Sequence, residues 1–185
     1  MTGESLRSHI MLVLGGARSG KSDFAESLVR KSGFAPVYLA TGAAFDGEME
    51  ERIARHKASR GEGWLTIEEQ RDVAGVLDRE SRAERAILID CLTLWLSNLM
   101  FAEADIEAET MRLIKALANA KGPVVLVSNE VGGGIVPDNA LARRFRDEQG
   151  RLNRRVAEAA DTVVLVAAGL PLLMKPNPDQ PEIRL

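Results

Sequence analysis

Gly15-Gly16-Ala17-Arg18-Ser19-Gly20-Lys21-Ser22 fits the pattern G-x-x-x-x-G-K-[ST], and its reading decides the fold. A phosphate chain needs backbone N–H groups close on several sides, and glycine lets the backbone curl without a Cβ in the way. Lys21 supplies a point charge for the β- and γ-phosphates, and the Ser22 hydroxyl can ligand Mg²⁺. The flanks agree. Residues 10–14 read as a buried strand and residues 22–31 as the following helix, whose N-terminus adds its dipole and free N–H groups to the anion site. A Gly-rich turn arising by chance would lack that context, so the stretch reads as a P-loop that binds a nucleoside triphosphate.

Around this stretch the chain is ordinary for a soluble globular protein. Its 185 residues make about one domain, with 45% hydrophobic and 28% charged residues. A net charge of −3 leaves no basic footprint, which disfavours nucleic acid as a partner. Cys91 is the only cysteine, excluding an intrachain disulfide and any multi-cysteine zinc site. No apolar run approaches a membrane span, and the first residues lack a signal-peptide core, so a cytoplasmic protein is expected. The chain reads as a single nucleotide-binding domain over 1–185, with flexible tails at 1–8 and 176–185.

Further strands follow the P-loop helix. Residues 36–40 form a short buried one, ending in Thr41-Gly42-Ala43. Small residues at a strand's carboxyl end suit a ligand loop, although a tight turn is the commoner meaning. Residues 46–59 read as a helix opened by acids and closed by Arg52, Arg55, Lys57 and Arg60; residues 64–68 alternate like a strand, and 72–82 can form another helix. In residues 86–90, four apolar positions precede Asp90. With a P-loop upstream, that is the shape of a strand delivering a carboxylate to Mg²⁺ rather than a simple helix cap. Residues 92–120 read as helix in two pieces meeting near 104–105.

Residues 124–128 are another buried strand, running into the Gly-rich stretch 129–137. Residues 139–160 make a long helix, basic at Arg143, Arg144, Arg146, Arg151, Arg154 and Arg155, which is most simply a solvated face. Residues 162–167 are a final strand, and 170–174 one more short apolar piece. Strands apolar on both faces, alternating with helices, predict an α/β P-loop NTPase fold of RecA-like type. Its sheet should be mostly parallel, with helices on both faces.

A P-loop alone names no reaction. A Ras-like GTPase needs N-K-x-D, and Asn129-Glu130-Val131-Gly132 is not one. His56 separates the rest. A neutral imidazole can attack phosphorus to form a phosphoramidate, and Arg52, Arg55, Lys57 and Arg60 would hold phosphates and keep it neutral. On spacing alone, a histidine in such a helix is more often inert. A small-molecule kinase with an incidental His56, and a non-catalytic nucleotide switch, therefore stay open at this point.

Read together, several stretches resemble the bifunctional adenosylcobinamide kinase/adenosylcobinamide-phosphate guanylyltransferases of cobalamin biosynthesis. They are the P-loop, Tyr38-Leu39-Ala40-Thr41, Arg52-Ile53-Ala54-Arg55-His56-Lys57, Trp64-Leu65-Thr66-Ile67-Glu68, Ile89-Asp90-Cys91-Leu92-Thr93 and Ser128-Asn129-Glu130-Val131-Gly132-Gly133-Gly134-Ile135-Val136-Pro137. The resemblance implies that ATP or GTP phosphorylates the hydroxyl of the adenosylcobinamide aminopropanol arm. It implies next that GTP gives GMP to His56 with loss of pyrophosphate, and that adenosylcobinamide phosphate displaces it to form adenosylcobinamide-GDP. Lys21 would serve catalysis beside His56. Gly15, Gly16, Ala17, Arg18, Ser19, Gly20, Lys21, Ser22, Thr41, Gly42, Ala43, Arg60, Gly61, Glu62, Gly63, Glu68 and Asp90 would line the nucleotide site. Ser22 and Asp90 would hold Mg²⁺. Glu130 is either a general base for the kinase step or a brace for the glycine loop after it. Relatives form trimers, so a homo-oligomer is expected.

Overall fold

A computed structural model describes residues 8–42 and 62–178. In chain order the elements are β1 (Ile10–Gly15), α1 (Lys21–Lys31), β2 (Ala35–Ala40), β3 (Leu65–Glu68), α2 (Val73–Glu80) and β4 (Arg85–Asp90). Then follow α3 (Leu92–Phe101), α4 (Ile106–Ala118), β5 (Val124–Asn129), α5 (Ala140–Ala159), β6 (Thr162–Ala167) and β7 (Leu170–Lys175). The helix expected over 46–59 lies outside the described residues.

α2 and α5 start one residue later than the pattern suggested, for a physical reason. Asp72, Asp105 and Asn139 are caps rather than helical residues, each accepting from the backbone N–H three positions on, at Gly75, Ala108 and Ala142. The apolar piece at 170–174 proves to be a strand. Ala168 and Gly169 both have positive φ, 52° and 79°, the two-residue reversal that joins antiparallel strands. β7 accordingly pairs antiparallel with β6.

The strands form one sheet in the order β3-β2-β4-β5-β1-β6-β7. All pairings except β6–β7 are parallel. Side chains alternate between the faces, so each of the five inner strands feeds two cores. Ile10, Leu12 and Leu14 join Leu39 and Ile89 beneath α2, α3, α4 and α5, while Val13, Leu88 and Val127 pack beneath Ala25 and Val29 of α1. Helices thus cover both faces, as the continuous apolar strands require.

This topology makes a crevice where ligands can sit. β1 and β5 are neighbours in register, Gly15 opposite Asn129. Their chains leave for opposite faces, β1 into α1 and β5 toward α5. Adjacent parallel strands that diverge in this way open a gap at their carboxyl ends, the usual ligand position of open α/β sheets.

Candidate nucleotide site at the carboxyl edge of the sheet

The P-loop leaves β1 at Gly15 and enters α1 at Lys21. A Cβ on Gly15 would clash with Ser19 Oγ and lie 2.6 Å from the backbone Val166 O, so only glycine lets the loop fold against β6. Gly20 has φ 88° and faces Gly169, whose Cα would be 3.3 Å from an added Cβ; the Gly169 N–H also donates to Ser19 O at 2.9 Å. The β6–β7 turn therefore clamps the loop from outside. Arg18, exposed and with φ 56°, completes the loop's reversal. Lys21 is buried, and its ammonium donates to Gly16 O at 3.0 Å, bracing the loop from within. Ser22 sits in the first turn of α1, where the helix N–H groups are unsatisfied.

Asp90 ends β4, two strands from β1, or about 10 Å at the usual strand spacing. The Tyr38 hydroxyl donates to Asp90 Oδ2 at 3.0 Å, and Tyr38 is itself buried. One carboxylate oxygen is thereby fixed by the fold. Sequence reasoning saw Tyr38 only as part of a motif; its hydroxyl, on an otherwise apolar strand, was the available signal. Tyr38 in turn meets Trp64 edge-on at 6.0 Å, and Arg30 lies 6.0 Å from the centre of the Trp64 ring.

Behind Asp90, Thr41 is wholly buried, and its hydroxyl donates to Cys91 O at 2.7 Å and accepts from Cys91 N–H at 2.8 Å. The Asn98 side-chain amide donates to Thr41 O at 2.8 Å and to Gln70 O at 3.0 Å. These bonds staple the carboxyl ends of β2 and β4 together. Burial, reinforced by the Asp90 charge, pushes the Cys91 thiol up to about 11, so it is a packed, protonated side chain rather than a nucleophile.

A second polar cluster, missed in the sequence, fixes the end of β5. Gln149 donates to Ser128 Oγ and Asn153 Oδ1, both at 3.0 Å, while the Ser128 hydroxyl donates to Asn153 Oδ1 at 2.7 Å. Asn153 then donates to Asn129 O, and Asn129 N–H to Thr93 Oγ1. Gln149 and Asn153 are four residues apart, on the same buried α5 stripe as Leu152 and Val156. That spacing was the legible clue.

Beyond Asn129, the Glu130 N–H donates to Gly15 O at 3.0 Å, tying the loop to the P-loop strand. Glu130 Oε1 accepts from the Gly132 N–H at 2.6 Å. Between this loop, residues 16–19 and residues 165–168 lies a cavity of about 600 Å³.

The remaining expected residues are spread out. Glu68 ends β3, the edge strand four places from β1, or about 19 Å away. Glu62 and Gly63 precede β3 and lie toward its amino end, opposite the P-loop edge, and both are exposed. Gly42 follows Thr41 and is half-buried. Ala43, His56, Arg60 and Gly61 lie outside the described residues.

Residues 11–174 match the family described as cobinamide kinase / cobinamide phosphate guanyltransferase. A bifunctional adenosylcobalamin biosynthesis protein CobP from Pseudomonas aeruginosa is 46% identical over 169 residues, covering 90% of this chain and 98% of its own. The corresponding CobU protein of Salmonella typhimurium is 43% identical over 183 residues, covering 90% and 99%. The crystal structure of the RadB recombinase superposes with a TM-score of 0.52 at 18% identity, over 86% of this chain and 74% of that one, a likeness of fold alone. Among the described residues, no helix is long and apolar enough to cross a membrane.

Proposed function

This chain belongs to the cobinamide kinase / cobinamide phosphate guanyltransferase family, and on that premise we propose that it performs both reactions at the P-loop edge of its sheet. The observation that carries the reading is a P-loop built for phosphate, with Asp90 held by Tyr38 two strands away on the same carboxyl edge, in a chain matching that family over 11–174. The single domain binds ATP or GTP on residues 15–22, with α1 directing its N–H groups at the phosphates. Thr41, Gly42, Ala43, Arg60, Gly61 and Glu68 complete the nucleotide site, while Glu62 and Gly63, at the amino end of β3, stand apart from it. Ser22 and Asp90 offer hard oxygen donors that suit Mg²⁺, which when bound neutralises charge across the β- and γ-phosphates.

In the kinase step the hydroxyl of the adenosylcobinamide arm attacks the γ-phosphorus. In the second step a His56 ring nitrogen attacks the α-phosphorus of GTP. The bond to pyrophosphate breaks, with Lys21 and the loop N–H groups stabilising the leaving charge. Adenosylcobinamide phosphate then displaces GMP from His56 to give adenosylcobinamide-GDP. The enzyme works in the cytoplasm, where both nucleotides are at hand. It acts as a homo-oligomer; the exposed Leu170, Leu172, Leu173 and Met174 of edge strand β7 support self-association.

The deciding experiment uses GTP labelled at the α- or γ-phosphate with wild type and His56→Ala. Acid-labile, alkali-stable protein label from the α position only, absent in the variant, is the expected result. Absence of any α-label during turnover would sink the covalent step and leave a plain kinase.

A further inference from the structure

The cavity beside the P-loop has a use that phosphate binding does not exhaust. One wall is Gly16 and Ala17, so little more than backbone separates its contents from the phosphate nest. Val131, Leu165 and Ala168 add apolar lining, and Arg18 and Ser19 polar lining. Glu130 is the carboxylate on its lining, and Gly132 anchors one of its oxygens, Oε1. An added Cβ at Gly132 would come within 2.8 Å of that oxygen, and the flexible Glu130 side chain would have to give way to it. The cavity's volume of about 600 Å³ suits a side arm or a small molecule, not a macrocycle. Gly133 and Gly134 also line the cavity, and next in the chain come Ile135 and Val136, 97% and 58% exposed, an apolar pair on a loop that has no packing reason to carry one. The same crevice lies between the diverging ends of β1 and β5, where open α/β sheets take ligands.

We infer that this cavity is the acceptor subsite of the kinase step, holding the hydroxyl-bearing arm of the corrinoid while its ring rests outside on Ile135 and Val136. Glu130 is the base. This rests on the family reading for the identity of the alcohol. As the arm's oxygen forms its bond to the γ-phosphorus, the O–H bond breaks and the proton passes to the Glu130 carboxylate. The bond between the γ-phosphorus and the bridging oxygen breaks, and its electrons leave with the nucleoside diphosphate. Glu130 is exposed, so it returns the proton to water before the next turnover. The guanylyl transfer needs no such base at its acceptor, because that acceptor is already an ionised phosphate.

That asymmetry supplies the test. With the full-length enzyme, Glu130→Gln should lower kinase kcat at least about a hundredfold and abolish the acid limb of its pH profile. GTP and ATP affinity and GMP transfer to cobinamide phosphate should stay near wild type. Val131→Trp, which fills the cavity, should raise KM for cobinamide about tenfold or more while nucleotide affinity and melting temperature hold. Three results would overturn the inference. They are kinase turnover near wild type in Glu130→Gln, parallel loss of both activities with a lowered melting temperature, and loss of GTP binding but not ATP binding. The last would give the carboxylate to base recognition. Failure of the covalent reading would show instead as missing α-label in wild type and would leave this comparison intact.

Discussion

At the residue scale, Tyr38 and Cys91 show how the surroundings of Asp90 are set. Tyr38→Phe removes the hydroxyl that holds Asp90 Oδ2 and leaves the ring's packing on Trp64 in place. Losing that bond should cost roughly 1 kcal/mol in carboxylate orientation, or about a fivefold rise in the Mg²⁺ concentration that half-saturates GTP binding. Titration calorimetry at stepped Mg²⁺ would measure it. An unchanged midpoint would mean that the hydroxyl serves packing alone. Cys91 offers a second check. With its thiol pushed up to about 11 by burial and by Asp90, iodoacetamide at pH 8 should leave the native protein unlabelled. The same reagent should label it readily in denaturant, as intact-mass spectra would report.

At the element scale, α2 depends on its first residue. Asp72 caps it through Gly75 N–H and reaches across to Arg112 of α4 at 3.0 Å. Partial burial works against the Asp72 charge, but the Gly75 N–H and the Arg112 and Arg79 guanidinium groups outweigh it and lower its pKa below the ordinary 3.8. Glu69 is likewise lowered from 4.5, by the N–H groups of Arg71 and then Asp72. A carboxylate whose folded pKa is depressed stabilises the fold above its unfolded value and loses that contribution as pH falls through the folded one. Asp72→Ala should therefore cost about 1 kcal/mol at pH 7, from the lost cap. The gap from wild type should close as pH drops below about 4, where the unfolded carboxyl also takes up its proton. Urea titrations of both proteins across that range would show it.

At the scale of the whole molecule, nucleotide bound at the sheet's carboxyl edge should stabilise the native state by mass action. GTP with Mg²⁺ at a hundred times its Kd should stabilise the native state by about 2.7 kcal/mol, hence raise Tm by roughly 5–10 °C for a chain of this size. Lys21→Ala should abolish that shift in a calorimetric scan, because the loop loses both its charge for phosphate and its brace to Gly16. The far edge poses a different question. β7 leaves Leu170, Leu172, Leu173 and Met174 exposed, and a bare apolar edge strand invites a partner. Leu172→Glu together with Met174→Lys should shift sedimentation to the monomer. A wild type that already sediments as a monomer, or unchanged association in the variant, would refute a role for β7 in self-association.

Local chemistry was legible in the order of residues. The P-loop, the apolar strands, the helix break near 104–105 and the acid ending β4 are each written in a handful of consecutive positions, because backbone geometry and burial pattern act over that range. The β6–β7 turn was not, since Ala168 adopts positive φ without the glycine or asparagine that would announce it. Nor were the partners of each site residue. Tyr38 meets Asp90, Asn153 braces Asn129, and residues 16–19, 130–134 and 165–168 enclose one cavity only because the strand order sets β2 beside β4 and β1 between β5 and β6. The same order carries Glu68 to edge strand β3, four places from β1. What the amino-acid order determined was which segments are strands, helices and phosphate loop; which side chains share a site was decided by strand neighbours, a matter of long-range packing that chain spacing does not encode.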